Sequence, residues 1–160
     1  MSFQLHSTVH QVLFGLLAAI GISHTAQADG DKRMVPLLPK YKQECAACHV
    51  AYPPGMLPAP SWKRVMTNLP QHYGTDASLD PAAVNELGTW LNANAGTYKR
   101  VREEPPQDRI TRSAWFIRKH DEVSAATWKL PAVKSAANCA ACHTRADKGD
   151  FDDDNIRIPK

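Results

Sequence analysis

A chain of 160 residues has room for one ordinary domain or two very small ones, and its 43% hydrophobic and 22% charged residues exclude collagen, coiled coil and general disorder. The formal net charge of +3 is too small an excess to argue for nucleic acid.

The first 28 residues contain no Asp, Glu, Lys or Arg and carry the apolar run "VLFGLLAAIGI" from Val12 to Ile22. That run is short of the about 20 residues needed to span a bilayer. Ala26 and Ala28 follow it in the spacing that a signal peptidase accepts. Residues 1–28 therefore read as a secretory signal peptide cleaved between Ala28 and Asp29, which gives a periplasmic protein with no stable membrane insertion after cleavage. An uncleaved anchor is the competing reading, because the n-region lacks Lys and Arg. Either way the working part lies outside the cytoplasm.

A helix is expected to lead into "ECAACHV", Glu44 to Val50, and the same pentapeptide returns in "NCAACHT", Asn138 to Thr144. The two copies use all 4 cysteines of the chain. Two structural disulfides do not suit cysteines three apart, and a redox dithiol does not require the following His. Four thiolates can hold zinc, but that too leaves both histidines unexplained. Attachment of haem uses every residue: both thiols add across the vinyl groups, and the adjacent imidazole reaches the iron as the proximal ligand. The expected cofactors are two covalently bound haem c groups, one on Cys45 and Cys48 with His49, the other on Cys139 and Cys142 with His143.

After the Pro-rich loop at 53–60, "SWKRVMTNL" predicts a helix capped by Ser61, with Trp62, Val65, Met66 and Leu69 on one face. Pro70 and Gly74 break it and leave His72 on a short loop, 23 residues after His49. A third helix is opened by Asp80 as N-cap and Pro81 at the first helical position, with Val84, Leu87 and Leu91 on one stripe and Gly96 as its stop. Residues 29–96 form the expected first haem c half. Residues 97–110 are charged, contain Pro105 and Pro106, and read as a connecting segment.

The second haem c half is expected over 111–160. Ser113 caps a helix that places Phe116, Ile117 and His120 on one face, with His120 lying 23 residues before His143. A further helix, "PAVKSAANCAACH", then carries the second motif at its end, and the acidic tail loops over the surface. The spacing of its Asp residues matches no calcium-loop pattern. The overall expectation is an all-α, loop-rich fold of two small cytochrome c-like halves, each built around one covalently attached haem. Halves of this size are marginal on conventional cores alone, which makes the porphyrins structural as well as functional.

The mature chain holds four histidines, so two remain for the far sides of two irons. His72 is the candidate for the first and His120 for the second. Met56 competes with His72, since Met opposite His is a common arrangement, whereas no Met follows Met66 to compete with His120. Filled coordination on both irons describes an electron carrier rather than an enzyme. The alternative is a haem enzyme or diatomic-gas sensor in which one haem has a labile distal ligand.

The stretches "CAACHVAYPPGMLPAPSW", "LPQHYGTDASLD", "WFIRKH", "VKSAANCAACH" and "GDFDDDNIRIP" together resemble the small exported dihaem cytochrome c family of proteobacteria, over nearly the whole length from Tyr41 to Pro159. The resemblance implies bis-histidine irons, His49 with His72 and His143 with His120. It also implies redox protein partners: a membrane cytochrome b as donor and a small soluble haem protein as acceptor.

Overall fold

Prolines open the first three helices, and serines the last two. In the computed structural model, which describes residues 35–160, α1 (Pro39–Cys45), α2 (Ala59–Thr67) and α3 (Pro81–Ala93) each carry Pro in the first two helical positions, where its missing N–H costs nothing. The serines Ser113 and Ser124 cap α4 (Ala114–Lys119) and α5 (Ala125–Trp128), accepting from the Phe116 and Thr127 backbone N–H. Single 3-10 turns and two isolated bridges make up the other regular structure, and no strand occurs among the described residues. The all-α, loop-rich expectation stands. The signal-peptide reading of residues 1–28 lies outside the described residues.

The first three expected helices form, with two adjustments. α2 starts earlier than expected: Pro58 is its N-cap, and Ser61 sits fully buried inside it. Pro60 is tolerated in the first turn, so nothing delays the helix until Ser61. Asp80 caps α3 as expected, accepting from the Ala83 N–H at 2.9 Å. That helix ends at Ala93, where the Asn94 side chain donates to the Trp90 carbonyl at 2.8 Å, ahead of Gly96. Gly96 has another use: its N–H donates to the Leu57 carbonyl at 2.9 Å, and a Cβ there would come within 2.5 Å of both the Gly55 oxygen and Val101 Cγ1.

The core lies where α2 crosses α3. Trp62, Met66 and Leu69 meet Leu87 and Leu91, with Tyr41 from α1 and Leu57 from the Pro-rich loop completing the cluster. The Trp62 indole N–H donates to the Pro54 carbonyl at 2.7 Å, which satisfies the polar end of a buried ring. Residues 97–110 do more than connect. Val101 is 2% exposed, the Tyr98 hydroxyl donates to the Gly55 carbonyl, and Glu104 and Asp108 pair with Arg64 of α2.

Two expectations in the second half fail. Ile117 is 59% exposed, so the inward face of α4 is carried by Phe116 without it. The stretch 131–143 is a chain of turns ending in the 3-10 turn Cys139–Ala141. Lys134 takes a left-handed φ of 65°, which no helix interior accommodates, and the Asn138 amide donates to the Val133 carbonyl that a helix would need. The acidic tail runs over the surface as expected, but it is not free. Its Asn155 carbonyl accepts from the Thr144 N–H, and its Arg157 N–H donates to the Cys142 carbonyl at 2.8 Å, pinning it to the second CAACH motif.

Candidate haem sites

The first site is assembled by three short devices. α1 delivers Cys45 at its last residue, and the turn that follows carries Cys48 and His49. The His49 ring is oriented by Nδ1, 2.7 Å from the Val50 carbonyl, and lies against Tyr52 with ring centroids 4.7 Å apart at 17°. A carbonyl can only accept, so Nδ1 carries a proton, and in the neutral ring that leaves the Nε2 lone pair for a metal. His72 comes from a tight turn in which the Thr75 N–H donates to the His72 carbonyl at 3.0 Å. Its two central residues, Tyr73 and Gly74, both have positive φ, 53° and 97°. Gly tolerates this freely; Tyr73 is held there by its hydroxyl, which donates to the Asp108 carbonyl at 2.9 Å and reaches the Gln107 carbonyl at 3.2 Å. The His49 and His72 rings then face each other, centroids 6.1 Å apart and 25° from parallel.

The second site repeats the relationship with different parts. His120 terminates α4 as its C-cap residue, and Nδ1 lies 2.9 Å from the Phe116 carbonyl, which fixes the same tautomer as in His49. Phe116 stacks on it at 4.0 Å, and Trp128 of α5 lies 6.0 Å from it and 6.4 Å from Phe116. His143 is set by its bridge to Ile156 and flanked by Phe151 at 5.3 Å; its Nδ1 is buried without a hydrogen-bond partner. The His120 and His143 centroids are again 6.1 Å apart, at 68°.

These residues fit the haem group. A metal–imidazole bond of about 2 Å and a ring nitrogen roughly 1.1 Å from its centroid put two imidazoles on opposite sides of one iron with centroids about 6.2 Å apart. Both observed pairs match. Burial, assisted by the neighbouring ring of each pair, lowers the proton affinity of His72 and His143, which favours the neutral form that a metal requires. No disulfide joins any of the four cysteines. Burial pushes Cys45 and Cys139 up to about 11, with Glu44 adding to the effect at Cys45. That is the reverse of the depressed thiol of a redox-active dithiol. Among the described residues no three His, Cys, Asp or Glu side chains converge as a metal cluster, so the two thiol pairs do not meet in a zinc ribbon.

Comparison with known proteins identifies the cofactor. The family model of dihaem cytochrome c matches residues 41–151. The chain belongs to that family. Its fold is similar to the dihaem cytochrome c of Shewanella baltica, with a TM-score of 0.68 and 38% identity over 78% of this chain and 95% of that one. Two structures of the Rhodobacter sphaeroides dihaem cytochrome c are similar as well: one at 45% identity and TM-score 0.63, covering 73% of this chain and 99% of that, the other at 43% and 0.65, covering 74% and 99%. No curated protein matches the chain. This dihaem cytochrome c therefore carries two covalently bound haems, and Cys45, Cys48, Cys139 and Cys142 stand in the pattern that attaches them.

Sequence reasoning passed over Tyr52, Tyr73 and Arg109. The first two had a signal, an aromatic residue close after a candidate ligand. Arg109 had none, since it is one of many basic residues in its segment and only the tertiary structure lays its guanidinium carbon 4.2 Å over the Tyr73 ring.

Proposed function

We propose that this dihaem cytochrome c is a periplasmic electron carrier whose two irons are each held between two histidines, His49 with His72 and His143 with His120. The observation that carries this reading is the repeated ring separation of 6.1 Å, reached in two sites of unrelated construction. Each haem, when bound, supplies an iron that takes up one electron as ferric becomes ferrous and releases it on return.

The chain's own part is to hold, orient and exclude. The thiols of each motif anchor the group covalently, and backbone carbonyls fix the His49 and His120 tautomers. Occupation of both axial positions by protein leaves no place for substrate, which supports a carrier over an enzyme. Bis-histidine ligation sets lower potentials than His/Met, and the His49–His72 facing supports His72 over Met56 at the first site. No helix among the described residues is long and apolar enough to cross a membrane. The resemblance to exported dihaem cytochromes supports a membrane cytochrome b as electron donor and a small soluble haem protein as acceptor.

The test is the visible spectrum of the mature protein, oxidised and dithionite-reduced, before and after carbon monoxide. Two low-spin c-type haems indifferent to carbon monoxide are expected. A shift at either haem would replace the carrier reading with catalysis or diatomic sensing.

A further inference from the structure

Among the described residues, Arg109 is a cation without an anion. The carboxylates nearest to it in sequence are already paired: Arg64 donates Nε to Asp108 Oδ2 at 2.9 Å and Nη2 to Asp108 Oδ1 at 2.7 Å, and also holds Glu104. Arg112 is turned to the Gln107 side-chain oxygen at 2.7 Å. Arg109 itself lies with its guanidinium carbon 4.2 Å from the centre of the Tyr73 ring, and its Nε is buried with no hydrogen-bond partner. A buried N–H without an acceptor is a costly state that native proteins rarely leave uncompensated.

The backbone around it is costly too. Gln107 and Asp108, immediately before Arg109, take consecutive left-handed φ values of 59° and 54°, and Tyr73 beneath the guanidinium takes 53°. Three non-glycine residues in this region, all next to one side chain, are strain of the kind that persists where a binding group must be aimed. The aim is toward the first haem site, because the Tyr73 ring meets His72 edge-on at 4.8 Å.

Haem presents two propionate carboxylates at its edge, and a guanidinium is the side chain best matched to a carboxylate. We propose that Arg109 is a cofactor-binding residue that receives a propionate of the first haem, with Tyr73 as the platform that holds the guanidinium in place. This rests on His49 and His72 sharing that haem.

The experiment is Arg109→Gln in the haem-loaded protein, read by spectropotentiometry and by the propionate bending band in resonance Raman spectra. Loss of a positive charge beside one iron favours its ferric form. One of the two one-electron steps is expected to move to more negative potential while the other stays, and a propionate band is expected to shift. The step that moves should be the one that becomes sensitive to carbon monoxide in His72→Ala. Unmoved bands overturn the proposal, even if a potential shifts, since that combination reports charge at a distance and no contact. Should Arg109→Gln fail to mature, Arg109→Lys decides: a moved propionate band supports the contact and an unmoved one refutes it. Failure of the underlying histidine pairing is a separate outcome, seen as carbon monoxide binding to the wild-type protein.

Discussion

The Tyr52 hydroxyl donates to the Ala137 carbonyl at 2.8 Å, joining positions 85 apart in sequence. The same side chain lies 4.7 Å from the His49 ring, and Ala137 stands two residues before Cys139. One tyrosine therefore touches both CAACH regions, and its own carbonyl is held by the Tyr41 hydroxyl at 2.8 Å. Tyr52→Phe keeps the ring against His49 and removes only the bond to the second region. It is expected to cost about 1 kcal/mol of stability, measured by chemical denaturation of the haem-loaded protein, with unchanged low-spin spectra. An unchanged midpoint would mean that this bond does not hold the two regions together.

Each proposed distal histidine should be separable from the other. His72→Ala and His120→Ala are each expected to open one sixth position, so that one haem per chain binds carbon monoxide and the other does not. His72→Met should raise the potential of one haem, because a thioether stabilises ferrous iron better than imidazole does. Redox titration monitored in the visible range checks it; two unmoved potentials in a protein that still has both haems would count against His72 as ligand.

The second half has little apolar core of its own. After residue 111 the buried hydrophobic residues are Phe116, Val133 and Ala146, whereas the α2 and α3 region buries Trp62, Met66, Leu69, Leu87 and Leu91. A Cys139→Ala/Cys142→Ala variant, which cannot attach the second haem, should lose amide protection across α4, α5 and the tail while α2 and α3 stay protected. Hydrogen exchange read by mass spectrometry distinguishes this from uniform protection, which would mean that the second half folds without its porphyrin.

The Arg64–Asp108 pair supplies a pH dependence. Hydrogen bonds from the Arg64 guanidinium hold the Asp108 carboxyl below its ordinary value of 3.8. A depressed carboxylate contributes stability above the unfolded value and loses it as the pH falls through the lower folded one. Arg64 is half exposed, so solvent screening keeps the contribution small. Asp108→Asn should therefore be destabilised at neutral pH, with the difference from wild type closing as the pH drops below 3.8. A difference that persists at lower pH would assign the effect to packing.

Local chemistry explains what was legible before any fold was known. Two thiols and an imidazole in five consecutive positions are a complete local donor set, so CAACH announced its cofactor without tertiary information. Asp80 with Pro81, and Ser113, announced their helices because caps act within one turn. The stretch 131–143 reads as a helix in sequence, but a short helix needs an apolar face to bury, and here only Val133 goes inside. Ile117 misled in the same way, its periodicity suggesting a face for which the fold has no partner.

The amino-acid sequence by itself determined the number of haems, the four cysteines in the attachment pattern and the family. The facing of His49 with His72 and His120 with His143, the reach of Tyr52 to Ala137, the pinning of the acidic tail and the burial of Arg109 Nε against Tyr73 were decided only in three dimensions. Covalent spacing is written along the chain, whereas these relationships depend on which surfaces the packed loops bring together, and no local pattern encodes that.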